Sequence, residues 1–114
     1  MINERLVKAL NEQINMELYS AYLYASMASY LDSLSLPGFT HWMNCQLREE
    51  LAHVERFQKF LSDRGGRVRL TAIEGPPTDW ESPLAVFEEV LEHEQSVSAA
   101  VNGLVDLAIE VKDH

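Results

Sequence analysis

The first 32 residues repeat apolar and polar positions with a helical period. Apolar side chains recur every three or four residues from Val7 to Leu31, and no Gly or Pro interrupts them. This period places the apolar positions on one face of a helix. The sequence therefore predicts a helix over about 3–32, with Asn3 as its N-cap. At about 1.5 Å per residue such a helix is roughly 45 Å long, a length typical of helical bundles.

The same pattern predicts two further helices. A Pro-Gly pair at 37–38 is expected to stop the first helical stretch, so the second helix is predicted over about 39–64. Gly65-Gly66 provides its C-terminal stop. Ser82-Pro83 combines a good N-cap with a proline suited to the first helical turn, which predicts a third helix over about 83–112. Because the first connection is short, the second helix should run antiparallel to the first.

The segment over 65–82 is rich in Gly and Pro and predicts a long connection. Its Val68–Ile73 stretch resembles a short strand, but the chain offers no partner strand, so we interpret it as irregular. Eighteen extended residues reach about 60 Å, enough to run the whole length of a bundle. The sequence therefore predicts an all-α fold, with one domain over 1–114 and a crossover loop over 65–82.

Each predicted helix places one acidic residue in the middle of its apolar face. These are Glu17, Glu50 and Glu94, and His53 lies three residues after Glu50 on the same face. Buried carboxylates are rare unless they are paired or bind a metal, and no basic residue occupies these faces. Carboxylates with one imidazole suit iron or manganese, with zinc as an alternative. We therefore predict a metal site, the alternative being a solvated polar layer.

Four other side chains have less specific interpretations. Tyr24 lies two turns beyond Glu17, either as a core aromatic residue or as a hydrogen-bonding or one-electron redox partner of the metals. Glu49 faces about 100° away from its neighbour and is expected at the rim, where it would hold a more peripheral cation. His41 and His93 are expected to be exposed residues rather than ligands.

Composition narrows the classes of partner. The formal net charge of -9 repels nucleic acid and anionic lipid and suits a protein that attracts cations. Cys45 is the single cysteine, so no intrachain disulfide is possible. The N-terminus does not resemble a signal peptide, and no apolar run reaches the length of a membrane span. We expect a cytoplasmic protein that binds neither nucleic acid nor membrane.

Three segments resemble the bacterial non-haem ferritins. They are Asn11–Ala21 (NEQINMELYSA), Glu49–His53 (EELAH) and His93–Gln95 (HEQ). The resemblance implies a ferroxidase centre for two irons, bridged by Glu50, and a third iron site. The resemblance implies that the first iron is bound by Glu17, Glu50 and His53. It also implies Glu94 as a ligand of the second iron, Glu49 as a ligand of the third, and Tyr24 as an aromatic neighbour of the centre. Bacterioferritins bind haem through a Met where this chain has Leu51, so no haem is expected.

The resemblance also implies a reaction and an assembly. Ferritins oxidise Fe(II) with dioxygen or hydrogen peroxide and store ferric mineral inside hollow homo-oligomeric shells of 24 subunits. Members of the family have a fourth long helix with further ligands, and this sequence matches only the first three helices of that four-helix bundle. The alternatives are a rubrerythrin-like di-iron peroxidase and a non-catalytic helical module that dimerises through the open side of the bundle.

Overall fold

The computed structural model describes residues 2–112, so Met1, Asp113 and His114 of the predicted domain lie outside the described part. Within it the chain forms three α-helices and no strand. The helices are α1 (Glu4–Ser33), α2 (Pro37–Asp63) and α3 (Pro83–Glu110). They form a bundle of 50 × 22 × 20 Å. The prediction of an all-α fold is confirmed.

Local sequence sets the helix ends. The Asn3 side chain caps α1 by accepting a hydrogen bond of 2.8 Å from the Arg5 amide, and Ser82 caps α3 in the same way from Ala85. α2 begins two residues before the predicted start at about 39, because Pro37 occupies the first turn. The missing N–H of proline costs nothing in that turn, where backbone donors have no helical partner.

The first helix packs against both others. The beginning of α1 shares a core cluster with the end of α2, represented by Leu6 and Leu61, and the end of α1 shares a second cluster with Met43 of α2 and Val86 of α3. Both α2 and α3 therefore run antiparallel to α1 and parallel to each other. Within the described residues the α2 and α3 backbones do not approach each other closely, and the two helices meet through side chains at one end, where Phe39 and Trp42 of α2 contact Phe87 of α3. One side of the bundle is open as a result.

Because α2 and α3 are parallel, the segment between them must return along the bundle, and it does so along α1. The Asn11 side chain binds this segment through two hydrogen bonds. It donates to the carbonyl of Arg67 at 3.1 Å and accepts from the amide of Arg69 at 2.6 Å. At the far end the Tyr30 hydroxyl donates to the Trp80 carbonyl at 3.0 Å. These side chains provide backbone partners for a segment without secondary structure.

The third helix is only partly covered by the other two. Val86, Val90 and Val97 are buried on the bundle side, and Phe87 packs against the core cluster at the end of α1. Leu84 and Leu91, which the helical period of apolar positions places on the same stripe as Phe87, are 68% and 62% exposed.

Candidate metal centre

Three side chains converge halfway along the bundle, where α1 and α2 cross. One potential ligand atom from each of Glu17, Glu50 and His53 lies within 4.8 Å of the other two. The Nδ1 atom of His53 is 3.6 Å from Glu17 Oε2 and 3.4 Å from Glu50 Oε2. The structure therefore brings together three of the five metal ligands that the sequence analysis names.

Helix geometry explains this convergence. Glu50 and His53 are three residues apart, so they project from one face of α2. Glu17 lies near the middle of the antiparallel α1 and meets them at the same depth. Glu17 and Glu50 are 1% and 4% exposed, whereas the His53 side chain is 39% exposed. The imidazole therefore forms the solvent side of the cluster.

Each of the two buried carboxylates has one oxygen without a hydrogen-bond partner. Glu17 Oε2 and Glu50 Oε2 make no hydrogen bond within the described residues. An unpaired buried carboxylate oxygen is costly, and a cation bound between the two oxygens and the imidazole would remove that cost. Carboxylate oxygen with imidazole nitrogen is a donor set that suits iron and manganese. The residues present therefore fit a divalent or trivalent cation.

The electrostatic state of Glu50 fits the same conclusion. Burial, the adjacent Glu17 carboxylate and the like charges of Glu94 and Glu49 together raise the pKa of Glu50 to about 9. Without a cation, the Glu50 carboxyl is therefore protonated at neutral pH. A bound metal ion reverses this preference by favouring the charged carboxylate.

Glu94 lies on the third side of the same region. It lines a groove together with Glu17, Glu50 and His53, but it is outside the compact ligand group. Its carboxylate accepts a hydrogen bond from the hydroxyl of Tyr24. The Tyr24 ring is fully buried, and burial, followed by the hydrogen bond to Glu94, raises the pKa of its hydroxyl. Tyr24 therefore remains protonated and orients Glu94.

His93 is not exposed, contrary to the sequence-based expectation. It is half-buried, and its Nε2 atom lies 2.6 Å from the hydroxyl oxygen of Ser20. Its ring also contacts the edge of Tyr24, with 6.0 Å between ring centroids. Burial lowers the pKa of His93. The sequence alone could not place this residue, because its position depends on how α3 is rotated about its own axis.

The two remaining residues of interest differ in burial. Glu49 is exposed, at the rim, and belongs to no compact ligand group in the described residues. Gln13, which the sequence analysis does not single out, is 5% exposed and donates a 3.0 Å hydrogen bond from Nε2 to Glu17 Oε1. Its signal in the sequence is the spacing, since residues four apart are neighbours on a helix.

The groove beside the cluster has a volume of about 710 Å³ and is lined by all three helices. Apolar side chains such as Phe57, Val101 and Val105 line its length, and Glu17, Glu50 and His53 interrupt them. The cluster is therefore reachable from the open side of the bundle. None of the three helices is long and apolar enough to cross a membrane.

Comparison with known proteins agrees with this geometry. A family model described as ferritin-like domain matches residues 7–114. The bacterial non-heme ferritin of Bacteroides fragilis is 44% identical over 99% of this chain and 71% of its own length. The corresponding protein of Staphylococcus saprophyticus is 40% identical over 100% of this chain and 68% of its own length.

Solved structures show the same relationship. A structure described as a novel open pore ferritin, from the archaeon Archaeoglobus fulgidus, superposes with a TM-score of 0.96 at 55% identity, covering 99% of this chain and 69% of that one. A humanized archaeal ferritin superposes with a TM-score of 0.97 at 53% identity. The chain therefore belongs to the ferritin family, which implies iron binding and supports a role in iron storage.

Proposed function

We propose that this chain is a ferroxidase subunit that oxidises Fe(II) to Fe(III) at a di-iron carboxylate centre. One observation supports this above others: two buried carboxylate oxygens, on Glu17 and Glu50, lack hydrogen-bond partners and lie beside one imidazole nitrogen. Iron is the substrate whose positive charge would neutralise these two oxygens. Glu17 and His53 hold the first iron, and Glu50 bridges it to a second.

Three further residues belong to the proposed centre. Glu94, oriented by Tyr24, binds the second iron from α3. Tyr24 is also the one-electron redox partner beside the irons. Glu49 holds a third iron at the exposed rim, outside the di-iron centre. The proposed centre uses no haem.

The ligands favour the oxidation itself. Hard carboxylate oxygens bind Fe(III) more strongly than Fe(II), which makes electron loss easier at the site. Two Fe(II) ions deliver two electrons, which reduce dioxygen to hydrogen peroxide or hydrogen peroxide to water, with two protons taken up in either case. The net charge of -9 favours cation entry. We further propose a cytoplasmic homo-oligomer that stores the product as ferric mineral inside a hollow shell of 24 subunits.

Aerobic Fe(II) titration with variants tests the centre. Glu50→Ala or His53→Ala is expected to abolish fast Fe(II) oxidation, a loss of at least about 100-fold in initial rate, because each removes a ligand of the first iron. The rate is followed by the absorbance of Fe(III). Glu55→Ala is the matched control, since Glu55 is an exposed acid on the same helix and away from the cluster. It should retain the initial rate of the unmodified chain.

The same titration distinguishes the alternatives. Oxidation followed by growth of a soluble mineral supports ferritin chemistry. Turnover of hydrogen peroxide without mineral supports a rubrerythrin-like peroxidase instead. Unchanged initial rates in both Glu50→Ala and His53→Ala would remove the basis of the proposal, and a chain inert towards Fe(II) would indicate a non-catalytic helical module.

A further inference from the structure

The hydrogen bond between Gln13 and Glu17 lies wholly inside the bundle. Gln13 precedes Glu17 by one helical turn, and its amide donates to Glu17 Oε1 at 3.0 Å. Both side chains are buried, with 5% and 1% of their surfaces exposed. A hydrogen bond to a charged group is stronger than one between neutral groups, and more so where water is excluded.

This hydrogen bond leaves Glu17 with one free oxygen. The second oxygen, Oε2, has no hydrogen-bond partner and lies 3.6 Å from His53 Nδ1. A carboxylate held at one oxygen by a buried donor cannot rotate freely about its terminal torsion. The free oxygen is therefore fixed on the side of the cluster where His53 and Glu50 converge.

The corresponding position on α2 behaves differently. Gln46 precedes Glu50 by four residues, the same spacing as Gln13 and Glu17. The hydrogen bonds of the described chain nevertheless include none from Gln46 to Glu50. Helical spacing alone therefore does not produce the contact, and the two carboxylates differ in how many of their oxygens an amide holds.

We propose that Gln13 is a positioning residue that makes Glu17 a one-oxygen metal ligand. The inference rests on the proposed function, because it takes Glu17 to be a ligand. The amide occupies Oε1 and presents Oε2 to the metal, and Glu50 remains unrestrained by any such amide. Partners of this kind orient a ligand and raise its affinity for metal without touching the ion.

Gln13→Met tests the proposal, because it removes the donor and keeps the length and shape of the side chain. The probe is Co(II) alone, titrated into the metal-free 114-residue chain and followed by visible absorption. We expect an affinity about 10-fold weaker than that of the unmodified chain. The absorption of bound Co(II) should also weaken, because a released Glu17 coordinates through both oxygens and raises the coordination number. A purely structural role would not change that spectrum.

Gln46→Met is the matched control and should change neither affinity nor spectrum. Equal losses in Gln13→Met and Gln46→Met, or no loss in Gln13→Met, would overturn the proposal while leaving the metal site standing. Failure of Glu50→Gln to weaken Co(II) binding would instead contradict the metal site itself. The two failures are therefore distinguishable in one series of titrations.

A measurement on the unmodified chain covers the case in which Gln13→Met does not fold. Zn(II) is added to the ¹⁵N-labelled protein, and the side-chain amide signal of Gln13 is followed by NMR. We expect this signal to shift in step with Zn(II) binding and the Gln46 signal to stay in place. A Gln13 signal unaffected by saturating Zn(II) would contradict the positioning role.

Discussion

Glu50 determines how the centre responds to pH. Burial and the like charges of Glu17, Glu94 and Glu49 raise its pKa to about 9, whereas an unfolded chain has the ordinary value of 4.5. Between these two values the metal-free folded state holds a proton that the unfolded state has lost. The contribution of Glu50 to the free energy of unfolding is therefore most favourable below pH 4.5, and it falls as pH rises towards 9.

Glu50→Gln should therefore stabilise the metal-free protein. The amide keeps the shape of the protonated carboxyl and has no charge to lose, so the gain in unfolding free energy grows as pH rises from 5 to 9. We expect on the order of 1–3 kcal/mol near neutral pH. Chemical denaturation in the presence of a chelator, repeated across this range, measures it.

Glu49→Gln is the natural comparison, because Glu49 is adjacent in sequence but exposed. Its effect on stability should be small, within about 0.5 kcal/mol. A gain in Glu50→Gln that stays constant with pH would show that the Glu50 carboxyl is already charged in the folded state. The proton balance of the centre would then have to be reconsidered.

Single residues also show what the sequence can predict about the site. An acid inside an apolar helical stripe is visible from periodicity, and Glu17 and Glu50 are buried as that pattern indicates. The contacts of His93 with Ser20 and of Gln13 with Glu17 involve side-chain rotamers and helix rotation. Those depend on packing between elements, which one-dimensional spacing does not contain.

At the scale of the helices, two glycines have different backbone conformations. Gly65 follows the end of α2 with a φ of +79°, and the amide of Gly66 reaches back to the Leu61 carbonyl at 2.9 Å. This left-handed turn ends the helix and suits glycine best, because glycine has no Cβ to strain there. Gly103 lies inside α3, where an added Cβ would meet no atom within 4 Å apart from its chain neighbours and the backbone of the helix itself.

The same substitution should therefore have opposite signs at the two positions. Gly65→Ala is expected to cost about 1 kcal/mol, because an L side chain is strained in the left-handed region. Gly103→Ala is expected to add roughly 0.5–1 kcal/mol, because alanine loses less backbone entropy in a helix. Urea denaturation of the metal-free chain compares both variants. A destabilising Gly103→Ala would mean that this position is not regular helix in solution.

The helices themselves follow from sequence more closely than their surroundings do. Caps at Asn3 and Ser82 and the glycines after α2 mark the ends of elements because they act on local backbone groups. The exposure of Leu84 and Leu91 was not predictable in this way. Periodicity shows that a helix has an apolar face, but it does not show which neighbour covers that face.

At the scale of the whole molecule, the open side of the bundle is its most unusual surface. The 710 Å³ groove lies between two helices whose backbones do not approach each other closely, and apolar side chains line most of it. Soluble monomers rarely expose continuous apolar patches of more than a few hundred Å². The 114-residue chain on its own should therefore bind apolar probes in this groove.

The fluorescence of an environment-sensitive naphthalene sulfonate dye tests whether the groove binds apolar probes. The metal-free chain should enhance the dye fluorescence, and Val105→Asn should reduce the enhancement several-fold, because Val105 lines the groove and a neutral polar side chain there opposes apolar binding without attracting the anionic dye. Ile109→Asn is the control. Ile109 lies one turn further along α3 and is 57% exposed, against 51% for Val105, but it is not part of the groove wall. Equal reductions in both variants would place dye binding on the general surface of α3, and the groove would then be closed in solution.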